Sequence, residues 1–234
     1  MPYSILQNTW LNNVENFKIV HFLDNKTTLE VPDNLEHNMC EDLKHRWNEH
    51  EKEGNTYIKE LLKNLKENTI IVEAGGHIGD TTFLMSKHLK SLGKNIIIYV
   101  FEPSLDKCNF IKAIIKANNI TNVEVVNAAL SNEISRGKLD TRRHSGAWQV
   151  EDGNDFDIIT LDSFSFPKPI SFIKLDVEGF EFKALQGGAD IIEKYTPILC
   201  VERANEEIQT YLSSIYTKDR TIGMDTFFKI KDTN

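Results

Sequence analysis

Residues 69–79, TIIVEAGGHIG, constrain this chain more than any other segment. An apolar run, Ile70 to Val72, ends in the acid Glu73 and passes into a turn that carries Gly75, Gly76 and Gly79. The run reads as a buried parallel strand, and the residues after the turn have helical spacing. A second apolar run, residues 96–101, ends in another acid, Glu102. Strand, tight turn, helix, strand and acid together form a nucleoside-binding α/β half-unit. The glycines come close to G-x-G-x-x-G, with Ala74 in place of the first.

Glu73 bears on which nucleoside is meant. A carboxylate entering the loop repels a pyrophosphate, which binds to bare backbone N–H groups at a helix N-terminus. The same carboxylate suits a ligand carrying an ammonium and a sulfonium. S-adenosylmethionine has both, and a ribose diol for Glu102. The pattern therefore favours a methyl donor over NAD. The plainer reading of Glu73 is a cap for the following helix.

Size and charge narrow the field further. The 234 residues suffice for one α/β domain with a short N-terminal extension. The net charge of −8 argues against a surface built to neutralise many phosphates. No run of 18 apolar residues exists, so no membrane-spanning helix is expected. The start, MPYSILQNTWLNNVENF, lacks a basic segment followed by an apolar one, so no secretory signal is expected. Cys40, Cys108 and Cys200 are too scattered for a metal cluster or a disulfide framework, which points to a reducing, cytoplasmic setting.

Along the chain, residues 17–23 and 27–31 predict a small hairpin, and 36–50 and 55–66 predict two helices. Strands are expected at 69–74, 95–101, 122–126, 157–161, 170–175, 197–202 and 224–230. Helices are expected at 79–92, 104–118, 180–194 and 204–214, the third interrupted by Gly187-Gly188. Residues 131–154 read as loops with short strands. Strands alternating with helices predict a mostly parallel sheet, with the ligand beyond the carboxyl ends of the strands. Glu73, Glu102, Asp176 and Glu202 fall at those ends.

A second motif, ISFIKLDVEGFEFKALQGG at 170–188, brings Lys174, Asp176 and Glu178 into quick succession. Extended alternation puts the three on one side. Carboxylates crowded at a strand end are costly unless they bind a cation or perform proton chemistry. Capping of the helix that begins near Phe180 is the structural alternative.

With these segments in order, the sequence resembles the FkbM-type family of S-adenosylmethionine-dependent methyltransferases. VEAGGHIGDTT looks like that family's donor loop, VFEP its ribose-acid segment and VVNAALS the stretch bordering the adenine. TLDSF followed by IKLDVEGFE is the most distinctive part, and PILCVER is similar to the strand after it. The likeness covers about residues 53–203. Glu73 stands for the usual Asp, Gly76 for Ala and His77 for Asn.

The resemblance implies a Rossmann-like class I methyltransferase: a mostly parallel seven-stranded sheet flanked by helices, with a small N-terminal β-hairpin and helical extension. Residues 1–52 would form that extension and 53–234 the methyltransferase domain. Glu73, Gly75, Gly76, His77 and Gly79 would bind the methionine part of S-adenosyl-L-methionine. Glu102, Pro103 and Ser104 would take the ribose and flank the adenine with Leu105, and Asn127 and Ala128 would edge that ring. Glu53 and Tyr57 would close over the donor. Asp176 is the first candidate for a proton-accepting or acceptor-orienting acid, followed by Glu178 and Glu202, with Lys174 tuning them. In the local basic stretch 136–150, Arg142, Arg143, His144 and Trp148 suit a carbohydrate acceptor, by hydrogen bonding and stacking, or an acceptor bearing phosphate or carboxylate; a solvated charge run is the plainer alternative. No ligand spacing announces a metal, and none is expected. The expected activity is O-methylation of a sugar hydroxyl of a glycan or glycosylated small molecule. Alternatives are an RNA ribose 2'-O-methyltransferase, an NAD-dependent Rossmann oxidoreductase and a non-catalytic nucleoside-binding module.

Overall fold

Five short apolar runs form the parallel heart of the fold: β3 (Ile70–Ala74), β4 (Ile97–Phe101), β5 (Val123–Val126), β10 (Ile170–Leu175) and β11 (Ile198–Glu202). The computed structural model describes residues 17–21, 28–32, 39, 43, 52–140, 142 and 149–231. Two antiparallel strands, β13 (Asp225–Ile230) and β12 (Tyr216–Ile222), complete one side. The seven-stranded order is β12-β13-β11-β10-β3-β4-β5. The mostly parallel seven-stranded sheet implied by the family is thus the observed one, while the helix expected at 36–50 falls mostly outside the described residues.

The helices are α1 (Lys52–Asn64), α2 (Asp80–Ser91), α3 (Leu105–Ala117), α4 (Glu181–Gln186), α5 (Ala189–Tyr195) and α6 (Glu206–Leu212). Strand alternation sorts the core into two layers. Ile71, Ile98, Val100, Phe172, Cys200 and Phe227 pack in one layer with Phe83, Met85 and Ile111. Ile70, Val72, Phe101, Ile173, Leu199 and Phe228 pack in the other with Leu185, Ile192 and Ile208. The interruption expected at Gly187-Gly188 separates α4 from α5.

An N-terminal hairpin, β1 (Phe17–His21) with β2 (Thr28–Pro32), lies where the β-rich runs predict it. Leu29 and Val31 of β2 are buried in the first layer. The Asn118 side chain, at the end of α3, exchanges hydrogen bonds with both the N–H and C=O of Glu30.

Two strand expectations are corrected. Residues 157–161 do not supply the seventh strand. β9 (Phe156–Ile159) belongs instead to a separate four-stranded sheet with β6 (Ala128–Leu130), β7 (Ser135–Asp140) and β8 (Gln149–Asp152), in the order β6-β9-β7-β8. The seventh strand of the large sheet is β12, YTKDRTI, which the sequence hid. It is an edge strand, Tyr216 is its one fully buried residue, and its charged side chains protect the open edge.

Candidate active site

The donor loop is zipped between two strand ends. The N–H groups of Gly75 and Gly76 both donate to Phe101 O, at 3.0 and 3.1 Å. Asp176 N–H donates to Ala74 O at 3.0 Å. Gly75 has φ +83°, and a Cβ placed there would stand 1.7 Å from Asp176 O. Only glycine combines that backbone angle with that approach.

Glu102 is 4% exposed, and both of its carboxylate oxygens are fixed from the backbone. His77 N–H donates to Oε2 at 2.8 Å, and Ser104 N–H donates to Oε1 at 2.9 Å. Burial raises the Glu102 pKa, while Lys107 and the two N–H donors pull it back. Each oxygen retains acceptor capacity beyond its one backbone bond. Glu102 lines a crevice with Gly75, His77, Pro103 and Ala128, and Asp176 and Glu178 line it from the β10 side. A doubly anchored acid beside small and apolar walls fits the diol and ring of an adenosyl group.

Several predicted residues have other duties. Glu73 does not line this crevice. It is still part of β3, so its side chain points beneath α2, where the Thr82 hydroxyl donates to Glu73 Oε2 at 2.5 Å. Burial pushes its pKa up to about 8, against opposing pulls from Lys174 and Thr82. Gly79 carries the left-handed turn into α2, where a Cβ would meet the Phe83 ring. Asn127 Nδ2 donates to the carbonyls of Glu102 and Pro103 at 3.0 and 2.8 Å, bracing the loop after β4. Ser104 caps α3 by accepting from Lys107 N, and Leu105 is exposed outside the crevice. Glu53 is exposed. Tyr57 turns to the far edge of the large sheet, where its ring meets Phe227 edge-on, the Arg220 guanidinium covers it, and its hydroxyl bonds Asp219. Arg142 is tied to Asp140 at 2.7 Å and to Glu151 at 3.1 Å along β7 and β8. Arg143, His144 and Trp148 lie outside the described residues. Lys107 was missed by the sequence reading; it is buried, lines the crevice and adds positive charge beside Glu102.

A stability prediction follows from Glu73. Its folded pKa is raised to about 8 from an ordinary 4.5, so the folded chain holds this proton more tightly than the unfolded chain. The associated stability is complete below the unfolded value and is lost as pH rises through the folded one. Glu73→Gln is expected to flatten the fall in melting temperature between about pH 4.5 and pH 8. A slope equal to that of the unmodified chain would show that Glu73 does not hold this proton.

At the ends of β10 and β11 the acids converge. Lys174 is 3% exposed, and its Nζ donates to Asp176 Oδ2 at 2.9 Å. Burial works against its charge, but Asp176 and then Asp225 hold its pKa well above the ordinary lysine value. Glu202 is 5% exposed, and burial followed by the Asp176 charge pushes it up to about 8. Oxygens of Asp176, Glu178 and Glu202 all lie within 4.8 Å of one another. A divalent cation could span such a distance, but Lys174 and Arg203 already provide counter-charges to these acids. The loop after β10 is held by Glu181, whose carboxylate accepts from Val177 N–H and Gly179 N–H, each at 3.0 Å. His77, Glu178 and Arg203 have φ of +46°, +51° and +49°. These three follow the carboxyl ends of β3, β10 and β11, on the crevice side of the sheet.

A family model described as the methyltransferase FkbM domain matches residues 73–220. No curated protein matches the chain. Among solved structures, the methyltransferase FkbM of Methylobacillus flagellatus KT is similar over 70% of this chain and 43% of its own, at 16% identity and TM-score 0.49. The chain thus spans less than half the length of that protein. A SAM-dependent methyltransferase from Aquifex aeolicus is similar over 76% of this chain and 89% of its own, at 13% identity and TM-score 0.45. An rRNA methylase from Streptococcus thermophilus is similar over 75% and 95%, at 13% identity and TM-score 0.45. No helix among the described residues is long and apolar enough to cross a membrane.

Proposed function

Because this chain belongs to the FkbM family of S-adenosylmethionine-dependent methyltransferases, we propose that it methylates a hydroxyl of a carbohydrate-bearing acceptor. The observation that supports this reading best is the acid cluster at the ends of β10 and β11, of which Asp176 and Glu178 line the same crevice as Glu102. A hydroxyl is a poor nucleophile until its proton is taken, and a cluster of carboxylates supplies the acceptor for that proton.

The donor, when bound, supplies an electrophilic methyl group on a sulfonium. In this reading Glu102 holds the ribose diol, presenting two oxygens fixed by His77 and Ser104. Gly75 lets the loop lie against Asp176. Asp176 accepts the proton of the attacking hydroxyl, and Lys174 orients its carboxylate through the 2.9 Å bond. Glu178, which lines the crevice beside Asp176, holds a neighbouring hydroxyl, as a carboxylate can through its several acceptor positions. Alignment of oxygen, methyl and sulfur is the chief contribution asked of the protein.

Calorimetry tests the donor half. S-Adenosylmethionine and S-adenosylhomocysteine are expected to bind and NAD is not; the reverse preference would overturn the reading. Glu102→Gln is expected to weaken S-adenosylhomocysteine by about 1.5–3 kcal/mol, the usual worth of hydrogen bonds to a charged group. Unaltered affinity in that variant would remove Glu102 from the ribose site. A methyl-transfer screen over glycans, glycosylated small molecules and RNA tests the acceptor half. Transfer to RNA alone would replace the carbohydrate assignment.

A further inference from the structure

Arg203 is the residue immediately after β11, and it follows the buried Glu202. Its own φ of +49° and the +51° of Glu178 place two non-glycine residues in the left-handed region at the ends of adjacent parallel strands. Such backbones persist where the surroundings over-determine them. Arg203 N–H donates to Met224 O at 2.8 Å, which fixes the main chain against the turn before β13. Its side chain then reaches across the strand ends. Nη1 donates to Glu178 Oε2 at 3.0 Å and lies 3.3 Å from Glu202 Oε2.

That second oxygen is fully enclosed and accepts no hydrogen bond. Among the described residues, Arg203 is the cation within ion-pairing range of Glu202. The other charges facing Glu202 are Asp176 and Glu178 from the loop after β10, and Asp225, its register partner on β13. All three are acids. Lys174, below them, bonds Asp176 rather than Glu202. Half of the Arg203 side chain remains exposed, so it links the buried Glu202 carboxyl to solvent and to Glu178, which lines the crevice.

We infer that Arg203 is a positioning residue: it clasps Glu178 and Glu202 across the strand ends, holds their carboxyl groups together beside Asp176 and offsets part of their negative charge. This rests on the methyl-transfer reading for its purpose, though not for its test. Both carboxylates are met by the single nitrogen Nη1, so a lysine would restore the charge as a compact ammonium on a more flexible stem.

The experiment is a carbon-detected NMR titration of the full chain carrying ¹³C-labelled glutamate carboxyl groups. The Glu202 resonance is assigned by its loss in Glu202→Gln. The expected Glu202 midpoint is near 8 in the unmodified chain, where burial and Asp176 raise it and Arg203 lowers it. In Arg203→Met the midpoint is expected to rise by about one unit, the scale of losing one close opposite charge. Arg203→Lys is expected to return part of that rise. Arg203→Gln, which keeps amide donors but no charge, is the second neutral variant, with the same expected rise. A midpoint identical in the unmodified chain and both neutral variants would overturn the inference. So would loss of S-adenosylhomocysteine binding in Arg203→Met together with a general loss of folded signals, which would make the residue structural. Failure of the unmodified chain to bind S-adenosylhomocysteine would instead count against the methyltransferase reading, with the Glu202 titration unaffected.

Discussion

Asp176→Asn is expected to lower methyl-transfer turnover by about 10²–10⁴-fold, the usual worth of a positioned base. Donor affinity should stay close to that of the unmodified chain, because Asp176 lines the crevice from the β10 side, which the proposed reading gives to the acceptor, and Glu102 is held from the other wall. Asn keeps the shape of the side chain and an oxygen for the Lys174 ammonium. It removes the charge and with it the ability to take a proton. The substitution also leaves Lys174, 3% exposed, without its nearest carboxylate. Uncompensated buried charge is costly, so a modest loss of melting temperature should accompany the loss of turnover. The two effects separate by measurement. Turnover is read from transfer of a labelled methyl group to an acceptor found in the screen, and donor binding from calorimetry with S-adenosylhomocysteine. Turnover that survives in Asp176→Asn would take Asp176 out of the chemistry and pass the role to Glu178 or Glu202.

The same acids show what the sequence could and could not reveal. The TIIVEAGGHIG segment and Glu102 announced a nucleoside crevice, because strand, glycine turn and acid are contiguous and each obeys a local rule. Lys174 and Asp176 were legible for a similar reason: two residues apart on one strand end, they share a side, and their 2.9 Å bond is a local contact. Glu73 was read one step too far. The motif gave its place in the chain, but its side-chain direction depends on where the strand stops, and β3 continues through Ala74. Tyr57 and Arg203 depended on contacts between distant segments. Asp219 lies 162 residues from Tyr57, and Glu178 lies 25 residues from Arg203. No periodicity encodes such pairings. β12 escaped because an exposed, charged edge strand lacks the apolar alternation by which strands are recognised. The small sheet of β6, β7, β8 and β9 escaped in part because its core is slight, formed by Ala129, Phe156 and Ile158 with Leu139 and Val150 against them.

The charges in the crevice combine to a consequence for the acceptor. Asp176 is matched by Lys174 and Glu178 by Arg203, and Glu202 is pushed to about 8, so it holds its proton through much of the neutral range. With one proton among them, these three acids and two cations carry little net charge, and Asp225 adds a further acid beside Lys174. In the proposed reading such a site suits polyhydroxyl groups and gives a polyanion no general attraction. Global charge points the same way, since −8 opposes the counterion release on which nucleic-acid affinity depends.

Gly75→Ala should be among the most damaging single changes available in the loop. The added Cβ would sit 1.7 Å from Asp176 O, and that atom is backbone, unable to rotate aside. The residue also has φ +83°. Left-handed backbone costs an L residue about 1–2 kcal/mol, and forced overpacking costs about 1–3 kcal/mol more. The sum, roughly 2–5 kcal/mol, corresponds to a fall of roughly 4–20 °C in melting temperature for a domain of this size. Gly93→Ala provides the internal control. Gly93 also has positive φ, +67°, but nothing lies within 4 Å of its added Cβ. It should therefore show the backbone cost alone. The difference between the two variants isolates the contact with Asp176. Because Gly75 N–H bonds Phe101 O while Asp176 N–H bonds Ala74 O, relief of the clash must open one side of the zipper. Opening toward β4 displaces the loop that carries the His77 N–H to Glu102, and opening toward β10 displaces Asp176 itself. Either route should reduce S-adenosylhomocysteine binding in the fraction that remains folded, whereas Gly93→Ala should leave it intact. Equal melting temperatures in the two variants, with donor binding retained in both, would mean that the close approach at Gly75 is not what holds this loop against the strand end.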